Sequence, residues 1–140
     1  METVYKIIDN DFTRCREWLK EQKFSSYVEE ICIGLERNGE LVSCTSYGKF
    51  NGKSMHAHIA IKPGQSLTKT FTWFMFYYPF IQCGVDVLVS WHDESQEKAI
   101  KLARHLGFKE QCRLKDICYY GDIIISTLKK EDCKWLGVKL

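Results

Sequence analysis

The sequence has no C-x-x-C pair, no run of eighteen apolar residues, no internal repeat and almost no charge imbalance. Each absence removes a class of protein. The seven cysteines, Cys15, Cys32, Cys44, Cys83, Cys112, Cys118 and Cys133, are odd in number and scattered, which suits neither a disulfide framework nor a zinc or thioredoxin-type site. They read as buried thiols in a reducing compartment, so a cytoplasmic location is expected. The longest nearly uncharged stretch, residues 71–85, is interrupted by Thr72, Pro79, Gln82 and Gly84 and falls short of the roughly 18 to 20 apolar residues needed to cross a bilayer. Met1-Glu2-Thr3 lacks the basic, apolar, small-residue order of a signal peptide, and no membrane association is expected. Twenty Lys and Arg against 18 Asp and Glu leave a net charge of +2, far from the basic balance of proteins held to nucleic acid by phosphate contacts.

What is present is a chain of 140 residues, 45% hydrophobic, 14% aromatic and 27% charged, enough for one globular domain over residues 1–140 with its own core. Residues 3–8 read as a strand, and Asn10-Asp11 opens a helix that should end near Lys23. Alternating residues 31–36, the Asn38-Gly39 and Asn51-Gly52 turns, and strands over residues 40–47 and 54–61 predict a three-stranded meander. A break at Lys62-Pro63-Gly64-Gln65-Ser66 leads, with Gln65 or Ser66 as cap, into an aromatic helix from Leu67 toward Tyr78, which Pro79 should end or kink. Residues 85–91 read as a buried, parallel-type strand. Ser95 should cap a helix carrying Ala99, Leu102, Ala103 and Leu106 on one face, closed by Gly107. A hairpin over residues 108–119 and 122–128 and a basic tail anchored by Trp135 complete the chain. The aromatic run from Phe71 to Phe80 holds no Lys or Arg, so it reads as core and not as a base-stacking platform.

The element order strand, helix, meander, helix, buried strand, helix, hairpin resembles that of the GNAT superfamily of acyl-CoA-dependent N-acyltransferases. Gln96-Glu97-Lys98-Ala99-Ile100-Lys101-Leu102-Ala103-Arg104-His105-Leu106-Gly107-Phe108 is similar to the family's last helix signature, N-x-x-A-x-x-x-Y-x-x-x-G-F, through Ala99, Gly107 and Phe108. It departs from that signature at Gln96 and at Ala103, the position of the Tyr that often protonates departing CoA. The family's Q/R-x-x-G-x-G/A phosphate loop is replaced by the shorter Lys62-Pro63-Gly64-Gln65-Ser66-Leu67-Thr68-Lys69. His58, with the Gly121-Asp122 close and charged tail, also resembles small GNAT-like proteins of tailed bacteriophages.

The resemblance implies an α/β (α+β) fold, a mixed and mostly antiparallel sheet of about seven strands flanked by about four helices. It also implies acetyl-CoA as co-substrate and an amine acceptor on a small molecule or a protein. Main-chain groups of Ala60 and Ile61 would pair with pantetheine, with Lys62, Gly64, Ser66, Lys69 and Gln96 near the remainder of the cofactor. A helix N-terminus offers unpaired N–H donors and a positive dipole end to a pyrophosphate. His58 is the expected base, an imidazole being able to accept a proton near neutral pH, and His92 the second catalytic candidate. His56-x-His58 could supply two metal ligands, but no third stands at a suggestive spacing, so no metal is expected. The alternative is a GNAT-fold binding or virion-associated protein without turnover, in the host cytoplasm if phage-encoded. Nucleotide modification and homo-oligomer formation stay open.

Overall fold

The computed structural model describes residues 2–22 and 31–137. Its strands are β1 (Tyr5–Ile8), β2 (Ile31–Arg37), β3 (Glu40–Gly48), β4 (Ser54–Ile61), β5 (Val87–Asp93), β6 (Lys109–Cys118) and β7 (Gly121–Lys129), and its α-helices are α1 (Phe12–Glu21), α2 (Lys69–Tyr77) and α3 (Glu97–Leu106). The strands form one sheet in the order β1-β2-β3-β4-β5-β7-β6. Every neighbouring pair is antiparallel except β4 with β5. The expected α/β class and seven strands are therefore present, with three α-helices among the described residues in place of about four.

Side-chain alternation divides the core. Ile33 and Leu35 of β2, with Met55 and Ala57 of β4, enter the larger cluster, where Phe71, Met75 and Phe76 of α2 and Ala103 and Leu106 of α3 cover the sheet. Cys32, Cys44 and Ala60 point the other way and join Cys15 and Leu19 of α1, because successive residues of a strand face opposite sides. Trp135 anchors the tail as expected, its Nε1 donating to the Leu106 carbonyl at 2.8 Å.

Several boundaries differ from the sequence pattern for local reasons. Lys62-Pro63-Gly64-Gln65 closes a turn through Gln65 N–H to the Lys62 carbonyl at 3.0 Å, with Gly64 at φ 81°, a conformation that glycine adopts without strain. The cap of α2 is Thr68, whose hydroxyl accepts from Phe71 N–H at 3.1 Å, and neither Gln65 nor Ser66; the helix starts two residues later than predicted. At Pro79 the chain leaves α geometry for one π turn, Tyr78–Gln82; proline has no N–H to give the carbonyl four residues back, that of Met75, which accepts from the Tyr47 hydroxyl instead. Cys83 N–H closes this turn to the Tyr78 carbonyl at 2.9 Å and Val85 N–H follows to the Pro79 carbonyl at 3.2 Å, so β5 begins at Val87 rather than at residue 85. Ser95 does not cap α3: its hydroxyl donates to the Asp93 carboxylate, and Gln96 holds the cap position. Gly107 takes the predicted left-handed conformation, φ 111°. Lys23, the predicted end of the first helix, lies outside the described residues; α1 stops at Glu21 and its Gln22 cap.

Candidate active site

The one parallel pair in the sheet is also a short one. β4 and β5 are in register only at Ser54 with Val87, Met55 with Leu88 and His56 with Val89, although β4 continues to Ile61 and β5 to Asp93. Beyond His56 the strands part. β4 stays paired to β3 as far as Ile61 with Ser43, so the main chain from His58 to Ile61 borders an opening on its other side. An unpaired strand edge presents N–H and C=O groups to anything extended that lies along it.

Two cavities occupy this opening. The inner one is lined by Thr45, Tyr47, His58, Ser90 and His92 among apolar side chains of α2 and α3. It leaves about 20 Å³ for the centre of a water molecule. The outer one is a groove of about 420 Å³ by the same measure, walled by Ile59 to Gln65 on one side and by Lys98, Ala99 and Leu102 of α3 on the other, with Gln22 at its end. Ile59 and Ala99 line both, so groove and cavity meet where the strands part. Among the described residues no carboxylate lines the groove, and neither Lys62 nor Lys98 takes part in an ion pair. The groove thus joins an apolar channel to a cationic mouth.

The candidate residues sort between these spaces. His58 and His92 meet at the inner cavity. Ala60, Ile61, Lys62 and Gly64 line the groove. Ser66 and Lys69 are exposed and line neither space. Gln96 caps α3, and its side-chain oxygen accepts from Asp93 N–H at 3.1 Å; it borders a surface hollow that shares Lys98 and Ala99 with the groove. Lys98, Thr45 and Ser90 were not singled out from the sequence. For Lys98 a signal existed, since it stands one residue before Ala99 in the helix signature, whereas Thr45 and Ser90 reach the cavity only through the pairing of distant strands.

Burial decides the protonation of the two histidines. His58 is 6% exposed, and desolvation, with smaller contributions from His92 and His56, lowers its pKa to about 3. His92 is also lowered by burial, against an opposing pull from Asp93. Both are therefore neutral imidazoles at neutral pH, each with one ring nitrogen able to accept a proton. The ordinary imidazole pKa expected for His58 is corrected by its surroundings. His56 packs against Trp91 with ring centroids 5.5 Å apart. Among the described residues no three His, Cys, Asp or Glu side chains gather closely enough to hold a metal ion.

A mostly antiparallel sheet opened between its fourth and fifth strands, with a groove leading to the opening, is the GNAT-like α/β fold. Solved structures that share it include acetyltransferases. They include yncA from Salmonella typhimurium with its cofactor acetyl-CoA (TM-score 0.66, 16% identity, 91% of this chain and 93% of that one). The Campylobacter jejuni N-acetyltransferase PseH in complex with acetyl coenzyme A is similar (TM-score 0.62, 16% identity, 92% and 99%). A variant of the spermidine N-acetyltransferase SpeG from Vibrio cholerae matches over 96% of both chains (TM-score 0.68, 16% identity). At these identities the likeness is one of fold. No protein-family model matches the sequence, and a search of curated proteins finds no match.

Proposed function

We propose that this chain is an acyl-CoA-dependent N-acyltransferase that moves acetyl from acetyl-CoA to an amine by direct attack. The observation that carries the reading is the early end of the β4 and β5 pairing, which opens a strand edge into a groove with Lys62 and Lys98 at its mouth, neither in an ion pair among the described residues. The acetyl-CoA bound in two solved structures of the same fold supports it. In this reading the main chain of Ala60 and Ile61 pairs with the pantetheine arm. Lys62, Gly64 and Lys98 meet the phosphates, with Ser66, Lys69 and Gln96 at the periphery. The thioester carbonyl lies at the opening beside His58 and His92. The lone pair of the neutral amine attacks the carbonyl carbon, the nitrogen passes its extra proton to His58, and the C–S bond breaks as the departing thiolate takes up a proton from the His58 imidazolium or from solvent, with His92 beside the same opening. Because burial makes His58 a weak base, transfer is fastest for an acceptor whose amine is already neutral.

The test is mass-spectrometric detection of acetylated product from acetyl-CoA and a panel of small amines and peptides. His58→Gln should lower the rate by roughly 10² to 10⁴-fold, the usual contribution of a positioned general base, while CoA binding persists. An unchanged rate would remove His58 from the chemistry. Two observations favour a second reading, binding without turnover as in a virion-associated protein: Ala103 carries no proton donor at its position on α3, and burial lowers the His58 pKa to about 3. Bound CoA with no product from any acceptor would select it.

A further inference from the structure

The inner cavity contains an unbalanced polar group. Thr45 is 1% exposed, it lines the cavity, and among the described residues its Oγ1 has no hydrogen-bond partner. A buried hydroxyl left unpaired is costly, and such groups in folded proteins are as a rule satisfied by protein or by ordered water. The space beside it, about 20 Å³ for a water's centre, exceeds the roughly 10 to 15 Å³ that one water requires. Three alanines leave room there: Ala57 on β4 and Ala99 and Ala103 on α3. A dry cavity of this size would be apolar throughout. This one is not, because Ser90 and His92 of β5 and His58 of β4 line it together with Thr45.

We propose that the cavity is a binding site for one internal water, held by Thr45 Oγ1 and shared with Ser90 and His92, and that Thr45 acts through this water as a positioning residue for the His92 ring. A water typically makes about three hydrogen bonds at such sites, and a fixed partner on one ring nitrogen selects the tautomer of a neutral imidazole. In acyl transfer, a reading on which this last step alone depends, that choice sets whether His92 offers a donor or an acceptor to the opening. The groups facing His92 that could compete are few: Asp93 on its own strand, His58 on β4 and Tyr47 on β3, whose hydroxyl already donates to the Met75 carbonyl. α2 and α3 present only uncharged side chains to the cavity, and its register partner on β7 is Ile124.

The experiment uses the full chain without CoA or amine, so a failure of acyl transfer leaves it intact. In wild-type protein, NMR should show a cross-peak between the Thr45 methyl protons and a long-lived water. The ¹⁵N shifts of His92 should report one dominant tautomer. Thr45→Val keeps shape and methyl groups but removes the hydroxyl. It should lose the water cross-peak, shift the His92 tautomer balance, lower the midpoint of the His92 titration and lower the melting temperature; Thr45→Ser, which keeps the hydroxyl, should restore the water, read from the β protons at position 45, together with the His92 tautomer balance and titration midpoint. Absence of the cross-peak in wild-type protein, together with a higher melting temperature for Thr45→Val, would show a dry cavity and overturn the site. A Thr45→Val protein that loses the water but leaves the His92 spectrum unchanged would overturn the positioning role.

Discussion

His58 shows how one residue ties stability to pH. In the unfolded chain its imidazole titrates near 6.5, whereas burial lowers the folded value to about 3. Between those values the unfolded state binds the proton and the native state does not, so the stabilisation is complete above about pH 6.5 and is lost as the pH falls toward 3. Urea titrations at steps from pH 7 to pH 4 should therefore show stability declining, with His58 contributing up to about 1.4 kcal/mol per pH unit within that window. His58→Gln should flatten the decline, and an equal slope in the variant would contradict the buried, neutral assignment. A second residue-scale constraint is space. Gly34 of β2 lies under two thiols and a leucine: a Cβ there would stand 2.8 Å from Cys15 Sγ, 2.8 Å from Leu41 Cδ2 and 3.1 Å from Cys44 Sγ. All three neighbours are buried, so none moves freely. Gly34→Ala should cost about 1 to 3 kcal/mol through overpacking, measured by chemical unfolding; a neutral result would mean that α1 lifts from the sheet without penalty.

At the scale of elements, α3 depends on its closing residue. Gly107 has φ 111°, and its added Cβ would lie 3.3 Å from Leu128 Cδ1 of β7. Gly107→Val should therefore destabilise by about 1 kcal/mol or more, because a β-branched residue resists left-handed backbone; calorimetric melting checks it, and an unchanged melting temperature would contradict the cap. The elements that the sequence announced clearly were those whose signals are local. The alternation of Met55, Ala57 and Ile59 located β4 to the residue, and Ala99, Leu102, Ala103 and Leu106 followed by Gly107 located α3. The misplaced boundaries were set by partners elsewhere along the chain. Thr68 outcompetes Ser66 as a cap because its hydroxyl reaches Phe71 N–H. Val85 looks like strand but is drawn into the turn at Pro79.

For the whole molecule, the sheet order places the middle of β4 between a groove and a small, largely apolar cavity with a few polar groups, and the candidate site is divided in the same way. The parts read from neighbouring residues came together: Ala60, Ile61, Lys62 and Gly64 share one wall. His58 and His92 share the inner cavity. The opposite wall, with Lys98, and the buried hydroxyl of Thr45 were not legible, because strand pairing and helix packing over long sequence separations bring them there. The parting of β4 and β5 beyond His56 is likewise a tertiary outcome; residues 54–61 read as one uninterrupted strand, and nothing in them marks where the second partner leaves. The central claim is that this opening receives an acyl-CoA, and isothermal titration calorimetry with acetyl-CoA tests it most directly. The account predicts one site per chain with a dissociation constant on the order of micromolar, weakened when Lys62 and Lys98 are both replaced by alanine. No heat of binding and no rise in melting temperature at millimolar acetyl-CoA would contradict it.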